Sequence, residues 1–89
     1  MKATEIRLSG QLACGEFVPW IDHRARLLDL RGWVRREGPN AVTIVVSGPQ
    51  PLVDAMEMAC SLGPVSVDVK RIETSARDLD APPESFANL

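Results

Sequence analysis

Apolar and polar positions alternate from Thr4 to Ser9, with Ile6 and Leu8 on one face and Glu5 and Arg7 on the other. A period of two predicts a strand with one buried side. Further on the period lengthens. Trp20, Ile21, Arg24, Ala25, Leu27 and Leu28 fall at helical spacing, and Pro19 suits the first turn, where its missing N–H costs little. Gly32–Arg36 starts a second strand, and REGPN (residues 36–40) is a turn by its Gly-Pro-Asn content. Ala41–Ser47 (AVTIVVS) is the strongest strand, being rich in β-branched residues. Gly48–Pro51 breaks it. Leu52, Val53, Met56, Ala59 and Cys60 then mark one side of a second helix, which Gly63-Pro64 ends. Val65, Val67 and Val69 alternate in a fourth strand reaching about Glu73. Residues 74–89 read as an irregular polar tail containing Pro82-Pro83, with Phe86 and Leu89 able to pack in a short final strand.

The order strand, helix, strand, strand, helix, strand restricts the topology. The tight turn makes the second and third strands an antiparallel hairpin, and the two helices must serve as crossovers. Right-handed crossovers place both helices on one face of the sheet. The expected fold is an α+β ferredoxin-like βαββαβ sandwich with an antiparallel sheet. Eighty-nine residues leave no room for a second core, so residues 1–89 form one domain.

Charge changes the picture more than composition does. The net charge is −2, yet residues 1–36 carry seven Lys/Arg against four Asp/Glu, and the rest three against eight. The basic stretch is HRARLLDLRGWVRR, residues 23–36. Overall acidity and the scarcity of strand aromatics disfavour nucleic acid as a partner. No apolar run approaches the roughly 18 residues of a membrane span. Two cysteines, Cys14 and Cys60, show no framework spacing. Reduced thiols and a cytoplasmic location are expected.

The candidate chemistry lies in GQLACGEFV, residues 10–18. A glycine ends a strand, small residues follow, and Phe17 leads into a helix. Free backbone N–H groups before a helix N-terminus suit an anion. The candidate anion-binding loop is therefore Leu12, Ala13, Cys14, Gly15, Glu16 and Phe17.

SGQLACGEFVPW, GWVRR, TIVVSGP and GPVSVDVKRIE together resemble the acylphosphatase family over about residues 4–73. In that family the first loop reads G-R-V-Q-G-V-x-F-R and the second strand ends G-W-V-R-N. The resemblance implies a loop whose N–H groups and terminal Arg hold the phosphate of an acyl phosphate, and an Asn that positions the attacking water. No cofactor is expected, and with His23 the only histidine and no other metal ligands clustered near it, no metal site is expected. Gly10, Phe17, Gly32 and Trp33 match the landmarks, whereas the Arg position is Val18 and the Asn position is Arg36.

Both substitutions bear on rate. Phosphoryl transfer spreads charge over equatorial oxygens, which an arginine fork grips and a valine cannot. Ala13-Cys14-Gly15 also displaces the loop glycine by one position, so a turn needing positive φ would place Cys14 in strain. Glu16 adds a carboxylate that repels an anion. Such a chain is expected to be a catalytically silent module, a pseudoenzyme, binding an anion weakly or a protein partner or its own copy. The alternative is a slow acylphosphatase that uses the loop N–H groups and Arg36.

Other residues carry less. Arg36 reads as a solvated hairpin arginine, Arg35 as a surface residue and Asn40 as a turn former. Cysteine-dependent phosphatases need C-x5-R, and the residue six beyond Cys14 is Trp20, so Cys14 reads as a loop filler. Asp22-His23 point in different directions on a helix and make no acid–base pair. Met56 and Met58 belong to the core or its rim.

Overall fold

The computed structural model describes residues 2–79 and 85–89. Its elements are β1 (Lys2–Gln11), α1 (Phe17–Leu27), β2 (Arg31–Gly38), β3 (Ala41–Ser47), α2 (Gln50–Leu62), β4 (Asp68–Asp78) and β5 (Phe86–Asn88). The sheet order is β4-β1-β3-β2-β5. β1 to β4 pair antiparallel throughout, and β5 adds a short parallel ladder to β2, pairing Phe86 with Gly32. The sandwich is the expected one, with a mixed rather than purely antiparallel sheet.

Helical spacing explains the core. Phe17, Ile21 and Ala25 recur every four residues on α1, Val53, Met56 and Cys60 share one side of α2, and all are buried. They close over Ile6, Leu8, Val34, Ile44 and Val46, with Phe86 plugging the β5 side. β3 is central and buried on both faces, which its β-branched run fits. Ala3 and Val45 are also buried, yet stand outside this core on the opposite face of the sheet. Met58, in contrast to Met56, is exposed.

The fourth strand departs most from the sequence pattern. It starts at Asp68, so Val65 lies before it, fully exposed, and it continues past Glu73 to Asp78. The reason is pairing. β1 is ten residues long and supplies partners from Gln11↔Asp68 to Lys2↔Asp78, so a polar edge strand forms without an apolar alternation of its own. Residues 74–78 of the expected tail are therefore strand. Residues 80–84, with Pro82-Pro83, lie outside those described. Phe86 is buried as expected, whereas Leu89 is exposed and contributes its N–H to the Val34 carbonyl.

Gly32 shows why a landmark glycine is needed. Its φ is 135°, and a Cβ there would collide with the Val45 carbonyl on the neighbouring strand.

Candidate active site

The loop is set by its two ends. At the β1 end, the register against β4 shifts between Ser9 and Gly10, and Gly10 adopts φ 144°. A side chain at Gly10 would strike the Asp68 carbonyl, so only glycine allows β4 to cross so closely. The Gly10 N–H donates to the Asn40 carbonyl at 3.1 Å, tying the loop to the β2–β3 turn. That backbone bond is what Asn40 brings to the site.

Leu12 and Phe17 are fully buried and anchor the segment between them. Ala13, Gly15 and Glu16 are exposed and Cys14 is half-buried. The Phe17 N–H donates to the Cys14 carbonyl at 3.1 Å, closing a tight turn into α1. Neither Cys14 nor Gly15 has positive φ, so the displaced glycine causes no strain at Cys14. A Cβ at Gly15 would meet nothing within 4 Å, and the loop tip is open to solvent. Among the described residues, the N–H groups of Ala13, Cys14 and Gly15 make no backbone hydrogen bond. These N–H groups and the start of α1 leave backbone donors open to solvent at the loop.

Arg36 is the principal correction to the sequence reading. It shares the helix-side face of β2 with Val34, is half-buried, and reaches across the end of the sheet. Its Nη2 donates to the Cys14 carbonyl at 3.1 Å and its Nη1 to the Gly38 carbonyl at 3.2 Å. The guanidinium is thus fixed between the β1–α1 loop and the β2–β3 turn rather than free in solvent. Val18 is packed against the core and presents neither charge nor donor. Glu16 caps α1 by position but makes no side-chain cap bond.

The Cys14 thiol has polar neighbours. The Ser66 hydroxyl, then the backbone N–H groups of Glu16 and Phe17, hold its thiol below the usual cysteine range. Ser66 has no signature in the sequence, and topology alone brings it there. β1 and β4 run antiparallel with Gln11 opposite Asp68, so the segment entering β4 overhangs the segment leaving β1. Arg35 stays at the surface, paired with Glu37 at 2.9 Å. Asp22 pairs with Arg26 at 3.0 Å, and His23 is exposed on the same helix. Among the described residues no cluster of three or more metal-ligating side chains exists. No helix there is long and apolar enough to cross a membrane.

A profile of the acylphosphatase family matches residues 4–88. The chain belongs to the acylphosphatase family. An acylphosphatase of Acidiphilium cryptum is 35% identical, the match covering 93% of this chain and 91% of that protein. The acylphosphatase of Rhizobium etli is 29% identical over 96% of this chain and 90% of its own length. In fold, the crystal structure of acylphosphatase from Bacillus subtilis superimposes with a TM-score of 0.89, covering 100% of this chain and 99% of that one at 22% identity. The acylphosphatase match thus takes in the residues of β5, beyond the sequence landmarks that end near Glu73.

Proposed function

We propose that this protein hydrolyses the carboxyl–phosphate bond of acyl phosphates, slowly, with Arg36 supplying the cation at the loop. The observation that carries this reading is the 3.1 Å bond from the Arg36 guanidinium to the Cys14 carbonyl. Family membership supports the substrate class.

The chemistry asks little of the side chains. Water attacks phosphorus, the P–O bond to the acyl group breaks, and the electron pair leaves on a carboxylate. A carboxylate is stable without a proton at neutral pH, so no general acid is required. The products are a carboxylate and inorganic phosphate, with one proton released to solvent. What the reaction needs is charge stabilisation on the phosphoryl oxygens. Backbone N–H groups of residues 13–15 and the α1 N-terminus supply part of it. The Arg36 N–H groups that its two carbonyl bonds leave over supply the rest. Turnover is slow because a guanidinium stands where the family has the water-positioning amide, and because Glu16 places negative charge at the loop.

A second reading, a silent module that holds an anion or a protein, is favoured by one observation: the half-buried Val18 packs against the core and offers the loop no side-chain donor. Benzoyl phosphate hydrolysis separates the two. Measurable turnover is expected, falling on the order of 10²-fold in Arg36→Ala. Val18→Arg with Arg36→Asn is expected to raise the rate above wild type. No hydrolysis by wild type, with hydrolysis by the double variant, would establish the silent module instead.

A further inference from the structure

The helix-free face of the sheet carries an unusual concentration of arginine. By strand register, Arg31 and Arg35 of β2, Arg7 of β1, and Arg71 and Arg77 of β4 all stand on this side, opposite the helices. Against these five arginines the same face holds, among the described residues, Glu5, Glu37 and Glu73, with Asp68 paired to Lys70 at its margin, in a chain whose net charge is −2. Positive charge has been gathered on one surface of an acidic protein.

Part of this pattern covers the sheet. Arginine stems lie over apolar positions while their heads stay in water. The guanidiniums of Arg35 and Arg77 stand over the Trp33 ring at 5.2 and 5.4 Å. The other three arginines are engaged only by exposed ion pairs or by none. Arg7 pairs with Glu5 through Nε at 3.2 Å and also acts electrostatically on Glu37, and Arg71 pairs with Glu73 through Nε at 2.8 Å, all at the surface. Arg31 has no ion pair among the described residues. The side chains of Arg7 and Arg71 are 67% and 73% exposed. Exposed pairs of this kind contribute little to stability, so exchanging or adding a carboxylate costs little.

We propose that this face docks an acidic polypeptide segment, whose carboxylates bind the exposed guanidiniums of Arg7, Arg71 and Arg31. Arginine suits the task because one planar head can serve two carboxylates at once. Protein is favoured over nucleic acid by two features. Among the described residues the face has one aromatic side chain, Trp33, already covered by two guanidiniums, which leaves no free platform for a base. The interleaved glutamates also interrupt the positive field that a continuous polyanion needs. Four strands about 4.8 Å apart make a patch roughly 15 Å wide, so the association is weak, fast and salt-sensitive.

Trp33 reports on its own surface. In a Trp20→Phe background, its fluorescence is followed while a glutamate decapeptide is added, with inorganic phosphate present to occupy the loop. The expected result is a saturable change whose dissociation constant rises about tenfold or more between about 20 and 200 mM NaCl. Arg31→Glu with Arg71→Glu, both at exposed positions, is expected to weaken binding at least about tenfold with circular dichroism unchanged. Arg31→Ala alone serves as a milder check should the double variant unfold. A flat response at low salt, binding indifferent to these substitutions, or tighter binding of a uridine decanucleotide overturns the proposal.

Discussion

A thiol surrounded by hydrocarbon ionises only at a cost, and Cys60 shows it. Burial on the core side of α2 pushes it up to about 12 from an ordinary 9.0. Its folded-state pKa is raised, so its contribution is fully present below pH 9 and lost as pH rises. Between about pH 9 and 12 the unfolded chain releases a proton that the folded chain retains, and stability falls by about 1.4 kcal/mol per pH unit. Cys60→Ala is expected to flatten that alkaline limb in urea titrations, relative to wild type. A limb of unchanged slope would show that Cys60 is not its source. Cys14 lies the other way, with Ser66 and helix N–H groups favouring its thiolate. The two cysteines look alike in sequence, and neither environment is written in its flanking residues. Arg36 teaches the same lesson. Its neighbours suggest a hairpin arginine, but of its two carbonyl partners one, on Cys14, is 22 residues away.

Elements differ in how much of themselves they carry. α1, α2 and β3 have strong internal patterns, and their cores follow from helical or strand spacing. β4 has little pattern after Ile72, and its length is imposed by β1. β5 is three residues long and depends on what it docks against. The Phe86 side chain enters the core, the Leu89 N–H donates to Val34, and Arg26 of α1 donates to the Phe86 carbonyl at 2.6 Å. Phe86→Ala is expected to cost about 3–5 kcal/mol by the usual price of an aromatic cavity. Leu89→Ala, at an exposed position, should stay within about 0.5 kcal/mol. Chemical denaturation of the two variants measures both. Equal losses would mean that β5 is held by its backbone rather than by its buried ring.

At the scale of the whole molecule, the site is a junction between loops. The β1–α1 loop, the end of β2 and the entry to β4 meet at one end of the sheet, so an anion bound there ties three parts of the chain together. Phosphate at about ten times its dissociation constant should stabilise the fold by roughly 1.4 kcal/mol. For a domain of this size that raises Tm by about 5–8 °C. Arg36→Ala is expected to abolish the increment, which thermal scans in phosphate against chloride would show. An undiminished increment in the variant would place the anion elsewhere. The sequence by itself determined the element order, the core faces and the glycine landmarks, because periodicity and backbone freedom are local properties. It also determined that residue 18 offers no donor. Only the tertiary structure decided that Arg36 and Ser66 converge on Cys14 and that the polar stretch after Glu73 continues as a strand. Both outcomes depend on strand register, which is set by contacts between distant segments and has no local signature.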